Sequence, residues 1–205
     1  MDVPDLDDLL DRARSGDESA FSAVYRDLQP RLLRYLQVQS PGLAEDVAAD
    51  TWLEVARAMG GFAGDSTAFR SWVFAIARNR LVDAIRRSAR RPVHLVDDTA
   101  ELEALAGAGD LDDAGARAEA YEATQRALAL VRTLPADQAE VVMLRVLAGL
   151  EPAEVALLVG KPVGNVRVLA HRGLRRLARS LADGSAAVGD PQPAAPSGGR
   201  RGNGV

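Results

Sequence analysis

Apolar side chains recur every three or four residues along most of the first half of the chain, which is the spacing of amphipathic helices. The helices predicted on this basis cover residues 5–14, 20–36, 43–59 and 69–85. Pro30 is expected to bend or interrupt the second of them, because proline has no backbone N–H to donate. The spacing leaves open whether the last segment is one helix or two, since Arg78 and Asn79 are not helix breakers.

A second group of helical patterns follows a contrasting stretch. Between Pro92 and Ala116 every ionisable residue other than His94 is acidic, and large apolar side chains are few, which is typical of a flexible linker. We therefore predict a first domain at 1–92, an acidic linker at 93–118, a second domain at 119–183 and a disordered tail at 184–205 rich in Gly, Pro, Ala and Ser. The predicted fold class is all-α, with two small helical domains joined by the linker.

The end of the second domain has the pattern of a helix-turn-helix. Pro152 suits the first position of a short helix and Gly160 its left-handed end, before a turn and a longer basic helix. The buried face of that longer helix is predicted to be Val166, Ala170, Gly173 and Leu177. The side chains left pointing outward are Asn165, Arg167, Val168, His171, Arg172, Arg175 and Arg176.

Charge is segregated along the chain, so the net charge of −4 says little about a nucleic-acid partner. All ionisable residues from Lys161 to Arg179 are basic, counting His171 with them. Arginine can pair with guanine, asparagine with adenine, and an exposed Val168 can pack on a thymine methyl group. The helix is therefore predicted to bind DNA; the alternative is a solvated basic face.

A second basic cluster lies in WVFAIARNRLVDAIRRSARR, residues 72–91, where six arginines are opposed only by Asp83. On its own such a run is most simply a solvated helix face. A binding function for these arginines needs support from other parts of the chain.

The residue inventory argues against catalysis. There is no cysteine and there are only two histidines, so ordinary zinc sites and nucleophilic triads are excluded, and the glycines at 60–64 lack the lysine of a phosphate loop. We predict a binding protein, not an enzyme, with no cofactor and no metal. The acidic N-terminus and the lack of a long apolar run predict a cytoplasmic protein without membrane insertion.

Four segments in order resemble the extracytoplasmic-function (ECF) sigma factors, the compact bacterial initiation subunits of RNA polymerase. They are GDESAFSAVYRDLQPRLLRYL, AEDVAADTWLEVARAM, FRSWVFAIARNRLVDAIRRSARR and LPADQAEVVMLRVLAGLEPAEVALLVGKPVGNVRVLAHRGLRRL. The resemblance covers about residues 5–180 and implies a four-helix promoter-opening domain, a linker and a helix-turn-helix domain that reads the −35 element. It also implies that the protein joins the polymerase on the nucleoid.

The resemblance assigns roles in the first domain. Asp46, Asp50 and Trp52 would grip the clamp of the largest subunit of core RNA polymerase. Asn79, with Arg78 beside it, would lie in a loop between two helices that captures an unstacked base of the −10 element. Arg86, Arg87 and Arg90 would follow the DNA backbone, because unstacking a base costs a few kcal/mol that local phosphate contacts must offset.

In the second domain the −35 contacts would be Asn165, Arg167, Val168, His171, Arg172 and Arg175. Asn165, Val168 and Leu169 replace the threonine, serine and arginine of the family pattern. These departures leave the fold intact, but the −35 sequence does not carry over from the family, and a thymine contact is predicted at Val168. The acidic linker would thread the polymerase channel that later carries RNA, and an anti-sigma factor would be a further partner. The rival classes are a stand-alone helix-turn-helix regulator and a protein-binding helical module.

Overall fold

The computed structural model describes residues 5–90 and 114–188, which form eight α-helices and no β-strand. The helices are α1 Leu6–Arg14, α2 Glu18–Gln39, α3 Ala44–Ala58, α4 Ser66–Arg90, α5 Ala114–Arg132, α6 Ala136–Val146, α7 Pro152–Val159 and α8 Val163–Val188. The all-α prediction is confirmed. The predicted linker up to residue 113 and the predicted tail from residue 189 lie outside the described residues. None of the helices in the described ranges has both the length and the apolar character needed to cross a bilayer.

Asp17 caps the start of α2. Its carboxylate accepts hydrogen bonds from the backbone N–H groups of Ser19 and Ala20, at 2.9 and 3.1 Å. The Ser19 hydroxyl and the Arg12 guanidinium also donate to it, and these bonds hold the pKa of Asp17 well below its usual value. A lowered pKa favours the folded state above about pH 4, and this contribution is lost as the pH falls.

The interruption expected at Pro30 is absent, because α2 continues from Glu18 to Gln39. Pro30 is exposed, so the carbonyl of Arg26 that loses its helical partner can bond to water. Leu28 and Leu32 on either side are fully buried. Packing of this apolar face against the core outweighs the loss of one hydrogen bond.

The loop implied at Arg78 and Asn79 is wrong, because both residues lie within the single long helix α4. The buried face of α4 passes through this point without a gap: Phe69, Val73, Phe74, Ala77, Leu81 and Ala84. A break would pull part of that face out of the core. Asn79 is exposed in the middle of the helix.

The first domain packs α1 and α3 on α2, with α4 against α3. Its largest fully buried side chains are aromatic: Tyr35 and Phe74 meet edge to face with ring centroids 5.5 Å apart. This packing fixes the outward faces of α3 and α4, where the predicted contact residues lie.

Two boundaries in the second half differ from expectation. Helix α5 begins at Ala114, ahead of the predicted start at Glu119, and α8 continues to Val188, past the predicted end of the domain at Asp183. Both extensions are rich in alanine, which favours helix, although glycine accompanies it in each. The domain limits themselves stay predictions.

The helix-turn-helix forms as its local signals predict. Glu151 and Glu154 form a capping box at the start of α7, and Gly160 ends that helix in the left-handed conformation with φ of 67°. Val166 of α8 is fully buried. Gly173 lies so close to α6 that a Cβ atom there would stand 2.7 Å from Cγ2 of Val142.

The two halves of the chain are in contact, which the sequence did not indicate. Helix α2 packs against both α5 and α6, and α4 meets α7. The buried apolar residues of both halves form one continuous cluster.

Candidate nucleic-acid and polymerase interfaces

Helix α8 exposes the side chains that the sequence placed outward: Asn165, Arg167, Val168, His171, Arg172, Arg175 and Arg176. Val168 is 44% exposed, although the opposite face of the helix is in the core. Among the described residues, no carboxylate forms an ion pair with the arginines of this helix, and Arg179 bonds only to the carbonyl of Arg175. The face is therefore basic and free to meet a ligand.

The turn before α8 is held by the only lysine of the chain. Lys161 Nζ lies 3.0 Å from a carboxylate oxygen of Asp137 at the start of α6. This ion pair ties the turn to the neighbouring helix. Lys161 thus positions the start of α8 and leaves the arginines to carry its exposed positive charge.

The exposed face of α3 joins two acids to one apolar residue. Asp46, Asp50 and Leu53 follow one another at helical spacing and all are exposed, Leu53 by 53%. An apolar side chain with a polar rim is a common arrangement at protein interfaces. Leu53 was missed by the sequence reasoning; its spacing from Asp46 was the available signal.

Trp52 does not share this surface, which corrects its assignment beside Asp46 and Asp50. It is only 7% exposed, its ring lies 4.9 Å from that of Tyr25, and its indole N–H donates to Gln29 Oε1 at 2.6 Å. A large aromatic ring on the inner face of an amphipathic helix is buried by packing. Trp52 holds α3 against α2.

Two arginines of α4 are engaged with acids. Arg80 makes two hydrogen bonds to Oε2 of Glu54, at 2.8 and 2.5 Å, and this bonding together with the charge of Glu54 raises the pKa of Arg80. Arg78 Nε lies 2.8 Å from Oε1 of Glu140.

The remaining arginines near the end of α4 are less constrained. The nearest nitrogen of the Arg86 guanidinium lies 3.9 Å from a carboxylate oxygen of Asp83, which is too far for a hydrogen bond. Arg87 is exposed. Arg90 is the last described residue of the helix, and its side chain is outside the described part of the structure. Arg86 and Arg87 form a basic end of the helix two turns beyond the exposed Asn79.

An open pocket of about 530 Å³ lies where α3 gives way to α4. It is lined by Arg57, Ala58, Gly60, Gly61, Phe62, Ala63 and Trp72. The rings of Phe62 and Trp72 are stacked at 5.0 Å, and both are only half-buried. The sequence reasoning missed this pocket because Phe62, one of its two aromatic residues, lies between the predicted helices 43–59 and 69–85.

The pocket is on the same side of α4 as Asn79. Residues seven apart in a helix share a face, and Trp72 and Asn79 are separated by two turns, roughly 10 Å. An aromatic pair, an exposed amide and a basic helix end are thus aligned along α4. Stacking surface, hydrogen-bond donor and positive charge are the groups that bind single-stranded nucleic acid. No group of side chains suited to a metal ion occurs within residues 5–90 and 114–188.

Two family profiles match the chain in the order of its two halves. Sigma-70 region 2 matches residues 24–91, and Sigma-70 region 4 matches residues 124–177. The ECF RNA polymerase sigma factor SigD of Mycobacterium tuberculosis is 32% identical over 180 residues, which cover 84% of this chain and 82% of that protein. The chain belongs to the ECF family of RNA polymerase sigma factors.

Other relatives agree. The ECF sigma factor BldN of Streptomyces coelicolor is 32% identical over 86% of this chain and 66% of its own length, so the sigma factor described here spans just under two thirds of that relative. The ECF sigma-E factor of Salmonella typhimurium is 29% identical over 78% of this chain and 85% of that protein. The predicted family and its function in transcription initiation are confirmed.

Solved structures share the fold. Sigma factor RpoE of Bartonella quintana, in complex with the anti-sigma factor NepR, aligns with a TM-score of 0.55 and 22% identity over 79% of this chain and 96% of its own. CnrH, in complex with the cytosolic domain of CnrY, also aligns with a TM-score of 0.55 and 22% identity. That alignment covers 87% of this chain and 99% of CnrH. The roles of individual residues in this sigma factor stay predictions.

Proposed function

We propose that this sigma factor binds core RNA polymerase through α3, reads the −35 element with α8 and opens the −10 element with α4. The observation that supports this best is the exposed face of α8, whose arginines lack carboxylate partners among the described residues while its other face is buried. Such a face fits the major groove of duplex DNA. The protein acts by binding and by strand opening, without catalysing a reaction itself.

Helix α8 supplies the base contacts. Arg167 and Arg172 are suited to guanine, Asn165 to adenine and Val168 to a thymine methyl group. His171 and Arg175 extend the contact along the groove and the phosphates. Because Val168 stands where the family pattern has serine, the −35 preference at one base pair is expected to differ from that of relatives with serine.

Helix α4 supplies the contacts to the opened strand. We place the unstacked −10 base against the Phe62 and Trp72 rings, with Asn79 bonding to a base edge two turns further along. Stacking on an aromatic ring contributes about 1–3 kcal/mol per base, comparable with the cost of unstacking. Arg86, Arg87 and Arg90 bind the phosphates. Arg78 also binds phosphate when its ion pair with Glu140 is broken.

The polymerase contact is centred on Leu53. Asp46 and Asp50 provide acidic groups that suit a basic surface on the clamp of the largest subunit, and Leu53 provides apolar area between the partners. Because Leu53 is 53% exposed, covering it stabilises the complex by about 1 kcal/mol, roughly half of the effect of burying a fully exposed leucine. Trp52 contributes only by holding α3 in place.

The further partners follow from the family. The solved structures of similar fold show RpoE in complex with the anti-sigma factor NepR and CnrH in complex with the cytosolic domain of CnrY, and we propose that an anti-sigma factor binds this protein and holds it inactive. The acidic linker enters the RNA channel of the polymerase. The protein acts in the cytoplasm and is on the nucleoid when it is part of the holoenzyme.

Reconstitution with sigma-free core polymerase tests the proposal. We expect a complex on gel filtration and run-off transcription from fragments of the source genome. Asp46→Asn with Asp50→Asn should weaken the complex, whereas Glu122→Gln, an equally exposed acid on α5, should not. Asn79→Ala should leave the complex intact and reduce promoter opening, with Ser22→Ala as its control. If the isolated protein shifts duplex DNA but forms no complex, it is a stand-alone regulator.

A further inference from the structure

The open pocket beside α4 depends on the short segment 59–65, which connects α3 to α4. This segment contributes Phe62, one of the two stacked rings of the pocket. Only one short turn of it, Met59–Gly61, is regular. A side chain on an irregular segment needs contacts from other parts of the fold to stay in one orientation.

Arg14 of α1 supplies two such contacts. Its guanidinium carbon lies 5.1 Å from the centre of the Phe62 ring, in position for a cation–π interaction. Nη2 of Arg14 donates a hydrogen bond to the backbone carbonyl of Gly64, 50 residues away in the chain. Arg14 therefore contacts both the ring and the backbone of the segment that carries it.

The guanidinium of Arg14 is itself held in place. Its Nη1 donates to Oδ1 of Asp11 at 2.9 Å, and the side chain is only 24% exposed. A charge-assisted hydrogen bond and partial burial restrict the rotamers of a long side chain. On the same helix, Asp7 accepts a hydrogen bond from the backbone N–H of Ser66 at 2.6 Å. Helix α1 thus holds the segment at Gly64 and the start of α4 just after it.

The Phe62 ring follows the backbone that Arg14 holds. A Cβ atom at Gly64 would lie 3.0 Å from Cζ of Phe62, so the ring packs directly on this glycine. The ring also meets Phe69 edge to face, with centroids 5.3 Å apart. Stacking depends on the distance and angle between rings, so a movement of Gly64 would change the surface that the pocket offers to a base.

We propose that Arg14 is a positioning residue for promoter opening, which holds the Phe62 ring so that the Phe62 and Trp72 pair is preformed for the unstacked −10 base. The inference rests on the function proposed above. Arg14 acts through Phe62 and does not touch the DNA. A preformed pocket binds the base more tightly, because the ring does not have to be ordered at the moment of capture.

Arg14→Ala should reduce promoter opening and leave the complex with core polymerase intact. The fraction of open promoter should fall by a factor on the order of ten, because a cation–π contact and a charged hydrogen bond are lost. Permanganate reactivity of thymines in a promoter found by run-off transcription measures this fraction. Arg12→Ala is the matched control: Arg12 is on the same helix, and its guanidinium bonds to Asp17 at 2.6 Å, outside the pocket lining. An equal loss in Arg12→Ala would overturn the proposal.

Two further variants test whether the charge above the ring matters. Arg14→Lys keeps a positive charge and a donor, so it should retain a clear part of the opening. Arg14→Gln keeps donors without the charge and should resemble Arg14→Ala. Opening by the lysine variant that does not exceed that of the glutamine variant would contradict the proposal.

A double-variant cycle tests whether Arg14 acts through Phe62. Phe62→Ala should reduce opening at least as much as Arg14→Ala. Once the ring is gone, Arg14→Ala should have no further effect, because residues that act through the same contact are not additive. Losses that multiply in the double variant would show that Arg14 acts in another way, and the proposal would be wrong.

The ring arrangement can be observed in the free protein. The chain has two tryptophans, so labelling with 5-fluorotryptophan gives two fluorine resonances, which Trp72→Phe assigns. Arg14→Ala should shift the resonance of Trp72, because Phe62 is stacked on it, and leave that of Trp52, which packs on Tyr25. An unchanged Trp72 resonance refutes the positioning role. Equal changes at both tryptophans refute it as well, because they would show a general loosening of the domain.

The wild-type protein separates this inference from the proposed function. If its holoenzyme opens promoters and Arg14→Ala opens them equally well, only the inference fails. If the wild-type protein forms no complex with core polymerase, or forms one that opens no promoter, the proposed function fails and the role of Arg14 in opening fails with it.

Discussion

The two basic surfaces of the molecule contain the same residue type and differ in how it is engaged. On α8 the arginines lie on an exposed face, and no carboxylate among the described residues pairs with them. On α4, Arg78 is bonded to Glu140 and Arg80 to Glu54. Arginine content therefore does not measure readiness to bind: α8 can meet duplex DNA as it stands, whereas α4 must first lose acidic partners. Duplex reading is expected to precede strand opening.

The largest effect should come from removing the free arginines of α8. Arg167→Ala with Arg172→Ala should weaken binding of the holoenzyme to a −35 element by about 2–6 kcal/mol, because each arginine paired with guanine contributes about 1–3 kcal/mol. Electrophoretic mobility shifts on promoter DNA at fixed salt give the difference. Arg126→Ala, an exposed arginine on α5, is the control. A loss no greater than that of the control would mean that α8 does not read the promoter.

The next effect concerns the packing that makes one face of α8 available. Gly173→Ala should lower the free energy of unfolding by about 1–3 kcal/mol, because the new Cβ would meet Cγ2 of Val142 at 2.7 Å. Gly164 lies in the same helix with open space around it, so Gly164→Ala should be neutral or stabilising by up to about 1 kcal/mol. Urea denaturation followed by circular dichroism compares the pair. Equal effects of both substitutions would contradict the close packing of α8 on α6.

The acidic partners of α4 provide a third test. Glu54→Gln removes the charge that holds Arg80, so Arg80 becomes available for phosphate. The protein should then bind single-stranded DNA more tightly, with the slope of log affinity against log salt steeper by roughly 0.7. Fluorescence anisotropy over a salt series measures both. Glu45→Gln on the same helix removes an equal charge without freeing an arginine. An identical change in that variant would mean that the effect comes from the net charge of the protein and not from Arg80.

The sequence predicted α8 far better than it predicted α4, and the reason is the range of the interactions involved. The signals of the helix-turn-helix, such as Pro152 and Gly160, act over a few residues and appear directly in the chain. Periodicity also found the helices of the first half. Arg78 and Glu140, in contrast, are 62 residues apart, and no local pattern pairs them.

Two other differences have equally physical causes. Helical spacing gives the face on which Trp52 lies but not how deeply it is buried, and its packing on Tyr25 decided that it belongs to the core. The break placed at Asn79 came from family resemblance, and the continuous apolar face of α4 overrides it. The open pocket beside Trp72 depends on Phe62, which reaches it from the segment between α3 and α4. Such a site exists only after the chain has folded.

The smallest effect sharpens the comparison to one side chain. Val168 is 44% exposed among arginines, so a large part of its apolar surface is in water and is available to a thymine methyl group. Val168→Ser should cost about 1 kcal/mol at a thymine and change the preference at that base pair only, because one exposed side chain reaches one base edge. Selection of −35 sequences by holoenzymes carrying either residue measures this, with Leu157→Ser on α7 as an exposed apolar control. Identical preferences at every position would show that arginine and asparagine contacts alone carry the specificity of α8. A shift at one position would show that the exposed face of α8, whose arginines have no carboxylate partners among the described residues, is also shaped for a particular sequence.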